Sequence, residues 1–170
     1  MNLKEVLETI SGEKLALIEG LNNELYLPLN AADLQKRLNV LNENSFELIN
    51  LFCVEDFVEN GFTLFYAFEV MGFEQILILQ CPLSGNQAVS IAKTFPSACW
   101  YEREITDGFG IEFKGAFDKR RLFLHETYPS NFHPMLKSFK NGKIEASATN
   151  ENDYLFKQVE GEGIYQIPVG

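Results

Sequence analysis

Residues 100–124 of this 170-residue chain gather the side chains best able to do chemistry. Glu102, Glu104 and Asp107 are spaced to share one helix. Paired carboxylates perform general acid–base work when burial pushes their pKa values apart, and His125 or His133 would assist. No nucleophile motif accompanies them, however, and Arg103, Arg120 and Arg121 would hold neighbouring carboxylates ionised. Lys119-Arg120-Arg121 would suit a phosphate, with Gly108-Phe109-Gly110 beginning a glycine-rich cradle. The remaining glycine of a dinucleotide fingerprint is missing, and these glycines follow a helical pattern rather than a strand. His125 and His133 are separated by Pro129, which disfavours a shared metal. Cys53, Cys81 and Cys99 are far apart, odd in number and without a C-x-x-C pair, so neither a disulfide framework nor a zinc or iron–sulfur site fits. Each sits among apolar neighbours and reads as a buried thiol. The acid–base and phosphate readings are thus the lesser ones for these residues, and no metal-binding cluster is expected.

An architectural reading fits the same residues better. On a helix, Ala98, Tyr101 and Ile105 share a face that can pack on a sheet, while Trp100, Glu104 and Asp107 line another. Arg103 can reach Asp107 one turn on. Gly108 and Gly110 permit a sharp exit, and Gly115 a second turn. Asp118 and Arg120-Arg121 then bring charge back to the same place. Guanidinium–carboxylate pairs give such a helix–turn–strand corner a fixed shape.

The rest of the chain must supply the frame. Asn2 precedes Leu3, Val6, Leu7 and Ile10 at helical spacing, and Ser11-Gly12 ends that run. Leu15, Leu17, Leu25 and Leu27 alternate as strands do, around the turn Gly20-Leu21-Asn22-Asn23. Asn30 caps a second helix with Leu34, Leu38 and Leu41 on one face. Three strands follow over 46–54, 62–70 and 75–80, the last apolar on both faces. A helix is expected from about Asn86, with Ala88, Val89, Ile91, Ala92 and Phe95 apolar. Pro96 should interrupt it and start a new helix at its first turn, running to Asp107 and closed by Gly108. Residues 109–113 and 121–124 read as short extended pieces. Beyond Glu126 the chain is loop-rich, although Phe132, Met135, Leu136 and Phe139 recur at helical spacing and suggest an exposed stripe for a partner. The expected fold is α+β: a mostly antiparallel four- to five-stranded sheet flanked by helices, with an extended C-terminal tail.

Composition excludes several classes. Hydrophobic residues make up 46% and charged residues 22%, as in an ordinary globular domain with a full core. A net charge of −10 argues against non-specific nucleic-acid binding and against docking to anionic lipid. No apolar run approaches the ~20 residues that span a bilayer. The first residues lack the basic start and apolar stretch of a signal peptide, so the cytosol is the expected compartment.

The run 102–121 closely resembles the signature of the 30 kDa subunit family of respiratory complex I, which includes relatives in membrane-bound nickel–iron hydrogenases. Glu102, Arg103, Glu104, Asp107, Phe109, Gly110, Ile111, Phe113, Gly115, Asp118, Arg120 and Arg121 occupy the matching positions. Ala116 replaces the family's usual His, and Gly108 stands where a larger apolar residue is common. The end of the chain, Gly161-Glu162-Gly163 followed by Ile167-Pro168-Val169-Gly170, is similar to the opening of the large-subunit domain in formate hydrogenlyase and hydrogenase-4-type enzymes. The resemblance implies a 30 kDa-like α+β domain over 1–125, a loop-rich tail over 126–160, and a linker over 161–170 into a catalytic large-subunit domain beyond it. It further implies a cofactor-free structural or docking domain, without turnover of its own, in an electron-transferring oxidoreductase complex. The nickel–iron site and iron–sulfur clusters would then belong to the large-subunit domain and to iron–sulfur subunits, with the assembly peripheral to the inner membrane on its cytoplasmic side. A stand-alone subunit of an NADH:quinone oxidoreductase is the alternative the resemblance leaves open.

Overall fold

The computed structural model describes residues 2–58, 60–140, 161 and 163. Helix α1 (Leu3–Ser11) begins with a reciprocal cap: the Asn2 side chain accepts the Glu5 N–H at 2.9 Å, and the Glu5 carboxylate accepts the Asn2 N–H at 3.1 Å. It ends at Gly12, whose φ of 66° is a left-handed conformation that glycine adopts without strain. Asn30 caps α2 (Ala31–Glu43) through the Asp33 N–H.

Five strands form the main sheet: β1 (Ile18–Glu19), β2 (Glu24–Pro28), β3 (Glu47–Glu55), β4 (Phe62–Glu69) and β5 (Ile76–Pro82), in the order β1-β2-β5-β4-β3. Within it, only β2 and β5 pair in parallel; the other neighbours are antiparallel. A separate parallel pair joins β6 (Gln87–Val89) to β7 (Glu112–Lys114). Helix α3 (Ala98–Phe109) lies between them in sequence and packs on β3. Leu3 and Leu7 of α1, Leu34, Leu38 and Leu41 of α2, and Ala98 and Ile105 of α3 share one core with Leu25, Leu51, Leu64, Tyr66, Leu77 and Leu79 of the strands. The expected α+β class and mostly antiparallel five-stranded sheet are both present.

Four local expectations are corrected. No helix starts at Asn86. Gln87, Ala88 and Val89 alternate exposed, buried, exposed, which is strand periodicity, and they pair with Glu112, Phe113 and Lys114. The next amide that a helix would use is taken elsewhere, because Ile91 donates to the Glu102 carboxylate. The following helix starts at Ala98 rather than at Pro96, with Ser97 making no side-chain cap bond. It also passes through Gly108 and closes at Gly110, φ 73°. Residues 121–124 form no strand, and the extended piece expected over 109–113 narrows to β7.

The tail stripe is not a helical face either. Over 126–139 the backbone runs through turns; Phe132 packs against Tyr128 and Phe139 with ring centroids 4.8 and 5.1 Å apart. Residues 141–160, and 161–170 apart from Gly161 and Gly163, lie outside the described residues, and with them most of the expected tail and linker.

Leu38 is fully buried between α2 and the sheet, whereas Leu21 is 97% exposed. Leu38→Ala is expected to lower unfolding stability by about 2–5 kcal/mol, and Leu21→Ala by no more than about 0.5 kcal/mol. Urea denaturation midpoints measure both.

Candidate functional site

The acidic and basic side chains of α3 do not pair along the helix. Arg103 does not reach Asp107 as its i, i+4 spacing suggests; both turn outward onto the segment 118–124. Asp107 Oδ2 accepts the backbone N–H groups of Leu122, Phe123 and Leu124 at 2.8, 2.9 and 3.2 Å. Arg103 donates from Nε to the Arg120 carbonyl and from Nη2 to the Arg121 carbonyl, both at 2.8 Å. One helical turn thus presents an acceptor to the segment's amides and a donor to its carbonyls. Residues 121–124 therefore have three of their amides and the Arg121 carbonyl satisfied by side chains without a strand partner.

Asp118 completes the corner. Its carboxylate takes the Arg120 guanidinium at 2.9 and 2.7 Å and the Arg120 N–H at 3.0 Å, with Arg103 Nη1 at 3.3 Å. The Arg120 side chain first, its N–H next, and the Arg103 charge after them hold the Asp118 carboxyl well below the usual carboxylate range. The expected corner of acid–arginine pairs therefore exists, centred on Asp118 rather than on Asp107. Gly115, φ 84°, makes the turn between β7 and Asp118.

Glu102 points inward. It is buried, and its two oxygens accept the Ser90 hydroxyl and the Ile91 N–H, each at 2.7 Å. Burial raises its pKa, while the bonds from Ser90, Ile91 and Ala92 oppose the rise. Glu102 thereby ties α3 to the end of β6. Thr106 adds a lock, its hydroxyl lying 2.8 Å from both the Glu102 and Ile111 carbonyls. Neither Ser90 nor Thr106 stands out in the sequence, because single hydroxyls carry no spacing signal.

The glycines have steric roles. A Cβ on Gly110 would meet the His133 ring at 2.7 Å, and one on Gly108 would strike Met135. His133 Nδ1 lies 3.0 Å from the Asp107 carbonyl, and Met135 N–H donates to the Gly108 carbonyl at 3.0 Å. Residues 132–135 consequently close over the end of α3, which is where the expected stripe residue Met135 packs. Phe109 meets Phe62 edge-on at 6.1 Å. Glu104 is half-buried, with no salt-bridge partner among the described residues.

A cleft of about 300 Å³ remains beneath the corner, bordered by Glu102, Arg103, Asp107, Asp118, Arg121 and His133 among others. Both Glu102 oxygens are hydrogen-bonded and Asp118 is held by two guanidinium groups, while Asp107 uses Oδ2 for the three amides. No group of three or more His, Cys, Asp or Glu side chains that could hold a metal occurs among the described residues. Cys53 and Cys81 are buried free thiols; burial, helped by the charge of Glu55, pushes Cys53 up to about 12, and burial raises Cys81. Around the pinned segment, Trp100, Phe117 and Phe123 are 61%, 66% and 71% exposed. The Arg103 guanidinium sits 5.4 Å from the Trp100 ring centroid, within cation–π range.

Known proteins share this architecture. The family model for the respiratory-chain NADH dehydrogenase 30 kDa subunit matches residues 27–145. The C/D polypeptide of the NADH-quinone oxidoreductase of Chromohalobacter salexigens is 34% identical over 114 residues, 66% of this chain and 18% of that protein. Hydrogenase-4 component G of Escherichia coli K12 is 30% identical over 116 residues, 65% of this chain and 21% of that protein. The C polypeptide of the NADH-quinone oxidoreductase of Rickettsia bellii is 29% identical over 147 residues, 82% of this chain and 74% of that protein. The chain thus spans about a fifth of the length of the first two of these relatives. Among solved structures, a chain of the membrane-bound sulfane sulfur reductase, an archaeal respiratory membrane complex, superposes with a TM-score of 0.71 at 17% identity over 81% of this chain and 85% of that one. A trypsin-resistant fragment of Nqo5 gives 0.57 at 18% identity over 69% of this chain and 99% of the fragment. At those identities the two structures speak for the fold.

Two substitutions test the corner. Asp107→Ala strands three amides and is expected to lower stability by about 1–3 kcal/mol. Asp118→Asn should lower the melting temperature at pH 7. A carboxyl depressed in the folded state stabilises above its unfolded pKa and loses that contribution as the pH falls through the folded value. The gap between wild type and Asp118→Asn should therefore narrow progressively in melts taken toward strongly acidic pH.

Proposed function

The chain belongs to the respiratory-chain NADH dehydrogenase 30 kDa subunit family, and on that premise we propose that it is a docking domain within a complex I-like redox assembly. The observation that carries the proposal is the pairing of a rigid segment with exposed aromatics. Asp107 and Arg103 fix residues 120–124 from both sides of the backbone, and Trp100, Phe117 and Phe123 stand exposed around them. Rigid aromatic anchors are where protein interfaces concentrate their binding energy, and a pre-ordered loop loses little entropy on docking. The partner is a catalytic large-subunit domain, in the same chain or separate, with iron–sulfur subunits next to it. In this reading Glu102, Arg103, Glu104, Asp107, Phe109, Gly110, Gly115, Asp118, Arg120 and Arg121 shape the docking corner and do no chemistry.

The domain itself carries no cofactor in this proposal. A nickel–iron site or iron–sulfur cluster needs several thiolates brought together, and Cys53, Cys81 and Cys99 are single thiols in separate elements. Those groups belong to the partner, and no electron step is assigned to this domain. No helix among the described residues is long and apolar enough to cross a membrane, so the proposed assembly holds the domain at the cytoplasmic face of the inner membrane through its partners.

Within the family, the hydrogenase branch of formate hydrogenlyase or hydrogenase-4 type is favoured by the composition of 161–170 and by the likeness to hydrogenase-4 component G. The second reading is a stand-alone subunit of an NADH:quinone oxidoreductase, favoured by the relative in Rickettsia bellii, most of whose length this chain covers. Purification of the native complex through a tag on this chain separates them. Stoichiometric nickel with hydrogen evolution supports the first; NADH-driven quinone reduction without nickel supports the second. In the same purification Phe123→Asp should remove the large subunit from the eluate while the variant's own melting temperature stays within a few degrees of wild type. Retention of the large subunit by Phe123→Asp and by a Trp100→Asp, Phe117→Asp double variant would contradict the docking corner.

A further inference from the structure

The opposite face of the main sheet carries no helix among the described residues. Strand register assigns its side chains row by row. Phe52, Phe65 and Gln80 form one row, and Asn50, Ala67, Ile78, Tyr26 and Ile18 the next. Phe65, Ala67 and Ile78 make a cluster of their own, with Tyr26, Val54 and Ile76 packed on it, and none of the three helices contributes to it. Phe65 is sandwiched by Phe52, stacked at 5.0 Å, and by Phe57, edge-on at 4.9 Å; both outer rings remain exposed.

The row at one end of this apolar field is acidic. Glu47 lies directly opposite Glu69 in the β3–β4 register, and Glu24 sits opposite Ile76 in the β2–β5 register. Like charges directly opposed across a sheet are unfavourable, and no salt bridge relieves Glu47 or Glu69 among the described residues. No position of these strands that faces the same way carries Lys or Arg.

We propose that this sheet face is a second docking surface, and that its occupant is a basic amphipathic helix of another protein, its apolar side on Phe52 and Phe57 and its cations on Glu47, Glu69 and Glu24. Charge selects the occupant. A helix with Lys or Arg beside its apolar stripe relieves the opposed carboxylates while covering the rings, as helix-in-groove recognition does. A second copy of this chain carries the same acids and a net charge of −10, and brings no matching cations to that row. The surface is distinct from the α3 corner, so it stands or falls independently of the large-subunit interface.

The full chain is titrated with a synthetic helical peptide of about fourteen residues built only of Leu and Lys in amphipathic order, and with a Leu/Glu peptide of the same pattern. Saturable one-to-one binding of the Leu/Lys peptide is expected, with none of the Leu/Glu peptide. Phe52→Asp and, separately, Phe57→Asp should weaken it about tenfold or more, although each adds a negative charge. Glu69→Lys should weaken it several-fold. Circular dichroism melts check that each variant folds, and Phe57 lies in a loop where the strand pairing is not at risk. Binding that is unchanged or strengthened by both aspartate variants is general attraction to an acidic protein and overturns the proposal. So does equal binding of the Leu/Glu peptide, or no saturable binding. Binding that appears only when residues 141–170 are removed assigns the face to the chain's own tail. A dimer that Phe52→Asp dissociates assigns it to a second copy. Either result also overturns the proposal.

Discussion

A single turn of helix α3 organises the segment that follows β7. Asp107 accepts three consecutive amides and Arg103 donates to two consecutive carbonyls of the segment that follows β7. A segment held in this way has three amides and two carbonyls satisfied without belonging to any sheet or helix, and its Phe123 side chain is exposed. The other interactions at the corner support that turn. Glu102 anchors its base to β6 through Ser90 and Ile91, Thr106 ties it to Ile111, and Gly110 leaves room for the His133 ring to settle on the Asp107 carbonyl.

The same geometry engages three of the corner's carboxylates with donors of their own chain. Glu102 has its oxygens occupied by a hydroxyl and an amide, Asp107 gives one oxygen to three amides, and Asp118 is enclosed by two guanidinium groups. Charge in this protein is spent on shape. The cleft beside the corner lies between α3 and the segment 118–124, with Arg103, Asp107 and Asp118 of its wall bonded to their own chain.

Much of the framework is legible in residue order. Asn2 and Asn30 announce their helices because a capping side chain has one local job, and the apolar run Ile76-Leu77-Ile78-Leu79 marks a strand of the central sheet. The segment 86–97 misleads because Ala88, Ile91, Ala92 and Phe95 mimic a helical stripe. What decides its fold lies far along the chain, in the Glu102 carboxylate that captures the Ile91 amide and in the β7 strand that pairs with β6. Gly108 misleads as a helix end for a related reason, since its role is to admit Met135 from a distant loop. At the site, the charged participants can be identified from residue order, whereas their partners and the hydroxyls of Ser90 and Thr106 cannot. The i, i+4 spacing of Arg103 and Asp107 suggests that they pair, yet a backbone segment offering both donors and acceptors satisfies each more fully than they would satisfy one another.

If the domain docks through its α3 corner, the segment 120–124 is ordered by α3 before any partner arrives. Amide hydrogen exchange of the free protein, read residue by residue, tests this directly. With α3 holding the segment, the Leu122, Phe123 and Leu124 amides exchange much more slowly than unstructured amides, and Asp107→Ala abolishes that protection while the β4 and β5 amides keep theirs. Exchange of those three amides at unstructured rates in the wild-type protein, beside a protected sheet, would contradict the account.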